Sequence, residues 1–176
     1  MNQQEFYKIV GLNPNKRIIL YSPNGKIFTQ STFDQDIIYN LSHSIPSTHQ
    51  LLIRTHPFHT EELGDVSKLN NVTVFTPHSQ EKNYWETHDF SKADEDLIID
   101  TIKYSDLLIT VSTTLIIDMA VFNKPIILID PIALGYASYR NMEDEHIQPI
   151  LKGVKVAKSI YKLDAYIREL TLLYKT

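Results

Sequence analysis

The chain has 176 residues, 43% hydrophobic and 22% charged, a composition that fits one folded domain and excludes a disordered chain. It has no cysteine, which excludes disulfides and thiolate metal sites. Its formal net charge of −4 argues against a nucleic-acid partner, because phosphate backbones select basic surfaces.

Short apolar runs alternate with longer amphipathic segments. Phe6 to Leu12 reads as a short helix closed by Asn13-Pro14-Asn15. Arg17 to Tyr21 is a β-branched run ended by the turn residues Ser22-Pro23-Asn24-Gly25. Phe33 to Ser44 carries a helical stripe at 33, 37, 38 and 41, with Ser31 or Thr32 as its cap. Gln50 to Arg54 and Val72 to Phe75 are strands stopped by Pro57 and Pro77. Asp94 to Tyr104 reads as a helix, Leu107 to Val111 as a strand, Thr114 to Phe122 as a helix and Pro125 to Ile129 as a strand. Val154 to Ala157 is a candidate sixth strand, and Leu163 to Tyr174 a closing helix. The apolar stretch from Leu107 to Ile129 is not a membrane span, since Ser112-Thr113-Thr114, Asp118 and Asn123-Lys124-Pro125 interrupt it. Pro77 to Phe90 and Asp130 to Lys152 read as long loops, which in compact domains tend to carry function. The pattern predicts an α/β domain, a Rossmann-like doubly wound parallel sheet of five or six strands in the order 3-2-1-4-5 with helices on both faces.

In such a sheet, ligands bind outside the carboxyl ends of the strands. Those ends read Ser22-Pro23-Asn24-Gly25 followed by Lys26, Thr55-His56-Pro57, Thr76-Pro77-His78, Val111-Ser112-Thr113-Thr114, and Asp130-Pro131. Ser112, Thr113 and Thr114 join a buried strand to an apolar helix, where unsatisfied N–H groups and the positive dipole end suit a phosphate. One of them could be simply an N-cap, but three hydroxyl residues exceed what a cap needs. His56 has the chemistry either to donate to a phosphate oxygen or to bond backbone in its loop. His56 and His59 form no convincing metal pair without a third ligand, and no metal is expected. Asp118, within an apolar run, needs a partner: the preceding turn or a ligand hydroxyl. His43, His49, His88 and His146 read as surface residues. No Gly-x-Gly-x-x-Gly or Walker A sequence occurs, which argues against dehydrogenases and P-loop NTPases and leaves no cofactor expected.

The segments Arg17 to Pro23 (RIILYSP), Leu51 to Pro57 (LLIRTHP), Tyr104 to Ala120 (YSDLLITVSTTLIIDMA) and Lys124 to Asp130 (KPIILID), in this order, resemble the C-terminal domain of CDP-glycerol glycerophosphotransferases and related surface-polysaccharide glycosyltransferases. UDP-sugar 2-epimerases share the two-domain GT-B architecture and a similar last motif. The likeness covers about residues 5 to 131. It implies one half of a GT-B fold, with His56 and the hydroxyls of Ser112, Thr113 and Thr114 on the donor pyrophosphate and Asp118 as the family acid of the following helix. Ser22, Asn24, Gly25, Lys26, His78 and Asp130 would be further ligand contacts, Lys26 facing the phosphates. The chain departs from the family at Thr110 to Thr113, where Asp-Tyr-Ser-Ser is usual, so nucleotide sugars stay open beside CDP-glycerol.

The resulting expectation is a single nucleotide- or nucleotide-sugar-binding domain over residues 1–176, with 1–13 as a linker-type helix and the N-terminal acceptor domain absent. Its partner would be a nucleotide-sugar or CDP-alditol donor, in surface-polysaccharide or teichoic-acid-type synthesis. The catalytic base would lie on the missing half, and this part alone would be inactive. A half of a UDP-sugar 2-epimerase and a non-catalytic nucleotide-binding scaffold are the alternatives. Without a basic and apolar leader after Met1, and without a transmembrane segment, the expected place is the cytoplasm, the full-length enzyme lying peripherally at the inner face of the membrane.

Overall fold

The computed structural model describes residues 1–25, 28–30, 32–55, 63–76, 92–139 and 154–173. Helices and strands alternate: α1 (Gln3–Val10), β1 (Arg17–Ser22), α2 (Phe33–Ser44), β2 (His49–Arg54), a 3-10 turn (Val66–Lys68), β3 (Val72–Phe75), α3 (Lys92–Tyr104), β4 (Ser105–Thr110), α4 (Leu115–Val121), β5 (Ile126–Ile129), β6 (Lys155–Ala157) and α5 (Ile160–Leu173). The strands form one six-stranded sheet in the order β3-β2-β1-β4-β5-β6. Every pairing is parallel, so the expected strand order holds and the sixth strand extends it.

The chain order reverses between β1 and β4, and right-handed crossovers on either side of that point put their helices on opposite faces. Accordingly α1, α3 and α4 pack together, while α2 packs against α5. The strands are therefore covered twice. Ile18 to Tyr21, Leu51 to Ile53 and Ile127 to Ile129 are fully buried along their whole length, which is why these strands read as unbroken apolar runs. Each such side chain contributes roughly 1.5–3 kcal/mol by leaving water.

Three features differ from the sequence expectation. Thr32 stands at the N-cap of α2 but makes no side-chain capping bond. Helix α1 starts at Gln3 because Asn2 and Glu5 form a capping box, and it stops early because Gly11 takes the left-handed conformation at φ 81°. His49 is not a surface residue: it opens β2 and is only 3% exposed.

His49 belongs to a polar layer that closes the N-terminal edge of the sheet. Arg17 Nη2 donates to Asp106 Oδ1 at 2.6 Å, and the Ile18 N–H donates to Asp106 Oδ2 at 3.1 Å, tying β1 to β4. Gln50 donates from Nε2 to the carbonyls of Asn13 (2.9 Å) and Lys16 (3.2 Å) and accepts from the Asn13 N–H (2.9 Å). Tyr7 donates its hydroxyl to Lys16 O at 3.1 Å. Burial first, then the Arg17 charge, lowers the pKa of His49 from its ordinary value, against a smaller raising effect of Asp106.

Candidate functional site

The C-terminal edge is built around the point where β1 and β4 lie side by side. Thr110, fully buried at the end of β4, donates its hydroxyl to Ser22 O at 2.9 Å and so joins the two strand ends. Beyond it run Ser112 and Thr113, half-buried, and Thr114, exposed. Thr114 occupies the N-cap position of α4 but makes no side-chain capping bond. The Thr113 hydroxyl makes only a long contact, accepting from the Leu115 N–H at 3.4 Å. A capping role alone would put a Ser or Thr oxygen firmly on an N–H of the first turn. The hydroxyls here are little committed to the protein, whereas the first-turn N–H groups of α4 are already used, Ile116 donating to Thr113 O at 3.2 Å and Ile117 to Thr114 O at 3.0 Å.

At the end of β1 the chain turns through Asn24 and Gly25, both buried, with Gly25 in the left-handed region at φ 83°. Asp34, in the first turn of α2, organises this turn. Its Oδ1 accepts from the Tyr21 hydroxyl at 2.5 Å and from the Asn24 N–H at 3.1 Å, and its Oδ2 accepts from the Gly25 N–H at 3.0 Å. The Gly25 carbonyl then accepts from the Phe28 and Thr29 N–H groups at 3.0 and 3.1 Å.

The segment leaving β5 folds back onto this loop. Asp130 Oδ1 accepts from the Ala133 N–H at 3.0 Å, which starts a turn that Gly135 completes at φ 89°. Thr29 and Ser138 then pair as an isolated antiparallel bridge, with Gln30 N donating to Ala137 O at 2.9 Å and Tyr139 N to Phe28 O at 2.8 Å. Tyr136 packs edge-on against Phe33 at 5.1 Å and donates its hydroxyl to Asp36 Oδ2 at 2.8 Å. Burial, with help from Asp36, pushes the Tyr136 pKa up to about 12. Because β4 lies between β1 and β5 in the sheet, this clasp ties together the loops on either side of β4's end.

Ser22, Asn24, Gly25, Ser112, Thr113, Thr114 and Asp130 thus share one edge. His56, Lys26 and His78 lie outside the described residues, as do His59, His88 and His146. Asp118 stands apart from the sequence expectation: its side chain faces solvent on α4 and needs no protein partner. Gly25 and Asp130 have structural tasks beside any contact with a ligand. The sequence reading passed over Asp34 and Tyr136. Nothing set Asp34 apart from Asp36, since acids are common in a helix's first turn. Among the described residues, no group of three or more His, Asp or Glu side chains could hold a metal ion. No described helix is long and apolar enough to cross a membrane.

Residues 1–151 match the family described as CDP-glycerol:poly(glycerophosphate) glycerophosphotransferase. Among solved structures, the wall teichoic acid polymerase TagF is similar at 16% identity and a TM-score of 0.59, over 98% of this chain and 40% of its own. UDP-GlcNAc 2-epimerase from Neisseria meningitidis, bound to UDP-GlcNAc, is similar at 11% identity and a TM-score of 0.60, over 98% of this chain and 41% of its own. The ADP-heptose LPS heptosyltransferase II of E. coli aligns over all of this chain and 54% of its own at 8% identity, with a TM-score of 0.57. At these identities the likeness is one of fold. The chain spans about two-fifths of the length of the first two. No curated protein matches it.

Proposed function

This chain belongs to the CDP-glycerol:poly(glycerophosphate) glycerophosphotransferase family, and from that premise we propose that it is the donor-binding domain of a glycosyl- or glycerophosphotransferase. The donor is a nucleotide-activated alditol or sugar, held at the C-terminal edge between β1 and β4. The observation that carries this reading is the placement of Ser112, Thr113 and Thr114: three hydroxyl residues at the reversal of strand order, on a helix start whose cap bond is not made. In the proposal their hydroxyls hold the diphosphate beside the positive end of α4; transfer of a sugar releases the nucleoside diphosphate, whereas transfer of a glycerophosphate breaks the bond between the two phosphates and releases the nucleoside monophosphate. His56 joins them from the end of β2, and Lys26 and His78 add positive charge or hydrogen bonds from the same edge. Asp130 and Ser22 complete the wall.

In this reading residues 1–176 form one domain, α1 is the segment that links it to an acceptor-binding half, and the full enzyme works on surface polysaccharide from the cytoplasmic side. Transfer requires donor and acceptor in near-attack geometry, and positioning of that kind supplies roughly 7–11 kcal/mol of barrier lowering. A single face of the cleft binds the donor but positions no acceptor.

The test is to titrate the protein with CDP, CDP-glycerol, and UDP- and CMP-sugars in a calorimeter while following nucleotide release. Binding of at least one of these with negligible turnover is the expected result. Absence of binding by every nucleotide would leave a scaffold. Release at several turnovers per second, lost in His56→Ala, would make this chain an enzyme without a second half.

A further inference from the structure

The chain's own carboxylate fills the place at the end of β1 where an anion would otherwise sit. Two successive main-chain N–H groups, those of Asn24 and Gly25, converge as in an anion-binding nest, and Gly25 at φ 83° gives the turn its shape. Asp34 occupies that nest, itself only 7% exposed, and the Tyr21 hydroxyl holds it from the other side at 2.5 Å. The N–H groups of Asn24 and Gly25 are both taken, and a second anion beside Asp34 would meet like-charge repulsion in a poorly solvated place.

The side chain of Asn24 is the remaining hydrogen-bonding group of the turn. Asn24 is 6% exposed, and its Nδ2 is covered and has no acceptor. Orphaned buried donors are rare in folded proteins because each forfeits its water bonds and gains nothing in return. Arg54 Nε is covered too, on a side chain with other interactions, while His49 Nε2 and Asp164 Oδ1 differ in kind. In the tautomer that donates from Nδ1 to Thr48 Oγ1, 3.0 Å away, His49 Nε2 is an acceptor, as Asp164 Oδ1 is. Under-satisfied acceptors are better tolerated than orphaned N–H groups. The Asn24 amide lies on the edge where the ligand is placed, on a turn fixed by Asp34 before it and by the Gly25 carbonyl's bonds to Phe28 and Thr29 after it. Rotation about the soft terminal torsion of Asn24 moves Nδ2 without disturbing those main-chain bonds.

We propose that the end of β1 is a hydroxyl-reading subsite: the Asn24 side-chain amide donates to a neutral oxygen of the alditol or sugar that the nucleotide carries, and Asp34 positions the turn while excluding phosphate from it. This rests on the donor-binding reading above. It divides the edge into two parts with different chemistry. The end of β4 takes the charged diphosphate, and the end of β1 takes the uncharged alditol or sugar attached to it. Asp34 is a positioning residue, acting through the Asn24 and Gly25 main chain.

The experiment compares CDP-glycerol with CDP by calorimetry on the unaltered protein and on Asn24→Ala, with thermal unfolding as the control for folding. If a nucleotide sugar is the tighter ligand, it is compared with its own nucleoside diphosphate. Asn24→Ala is expected to weaken CDP-glycerol about tenfold, the size of one net hydrogen bond, and to leave CDP unchanged. Equal weakening of both ligands, or of neither, overturns the subsite. No binding of any nucleotide by the unaltered protein instead sinks the donor-binding reading on which it rests. Nuclear magnetic resonance of the unaltered protein gives a second answer that does not depend on the variant's folding. The Asn24 side-chain NH2 signals should shift with CDP-glycerol and not with CDP. Inorganic phosphate should leave the Asn24 and Gly25 main-chain amides in place, and a shift of those two amides would show that the nest is open to anions.

Discussion

The two edges of this sheet are made from the same strands, yet among the described residues they treat their polar side chains differently. At the N-terminal edge, His49 Nε2 apart, the chain spends its polar groups on itself. Arg17 and Asp106 pair across β1 and β4, Gln50 satisfies Asn13 and Lys16 together, and Tyr7 reaches Lys16 O. At the C-terminal edge, Thr114 leaves its cap bond unmade, Thr113 makes one long contact, and the Asn24 amide has no acceptor. A layer that satisfies itself serves stability. One that holds donors in reserve, on a frame fixed by Asp34 and the Thr29–Ser138 clasp, is arranged for something that arrives.

The contrast can be broken most sharply from the stable side. Asp106→Ala strips the acceptor from both Arg17 and the Ile18 N–H, and should lower the unfolding free energy by about 2–3 kcal/mol in urea titration. Nucleotide affinity should not change in the folded variant, and a parallel loss of affinity would erase the division of labour between the edges.

The converse change is made at the other edge. Replacing Ser112 and Thr113 together by Val should leave the melting temperature close to that of the unaltered chain while weakening a nucleoside diphosphate by about 1–3 kcal/mol, the range for hydrogen bonds to a charged group. Unchanged calorimetric affinity would reduce these hydroxyls to parts of a turn.

The third effect is a pH dependence. His49 has a lowered folded pKa, so the unfolded chain binds the proton more tightly. The stability this group contributes is present above its unfolded pKa of about 6.5 and is lost as pH falls below it. Unfolding midpoints measured from pH 7.5 to 5 should therefore decline, and His49→Gln should flatten that decline. An identical slope in the variant would remove His49 from the N-terminal layer's account.

Smallest is the clasp. Tyr136→Phe removes the bond to Asp36 but keeps the ring on Phe33, so it should cost no more than about 1 kcal/mol. Because the folded pKa of Tyr136 is raised to about 12, the group's contribution should hold at neutral pH and fade as pH rises towards that value. Alkaline unfolding curves of the two proteins should therefore converge at their upper end.

The sequence made the fold legible because parallel strands covered on both faces must be apolar throughout. Arg17 to Tyr21, Gln50 to Arg54 and Pro125 to Ile129 could hardly be anything else between their turn residues. It also made the edge legible, since Ser22 to Gly25 and Ser112 to Thr114 fall where strands end. It could not show which polar groups are already used. Asp34 and Asp36 look alike in a helix's first turn, but one is buried under Asn24 and Gly25 while the other meets Tyr136, a hundred residues away. His49 looked exposed because its burial depends on Arg17 and the strand beside it. These are facts of packing between distant segments, which no local pattern carries.

Hydrogen–deuterium exchange with and without saturating CDP-glycerol reads both edges in one experiment. Slowed exchange confined to peptides covering Ser22 to Gly25 and Thr110 to Ile116, with His49 to Gln50 and Ser105 to Asp106 unchanged, is the predicted result. Protection centred on the N-terminal edge, or none at the ends of β1 and β4 despite measurable binding, would contradict the assignment of the ligand to the C-terminal edge.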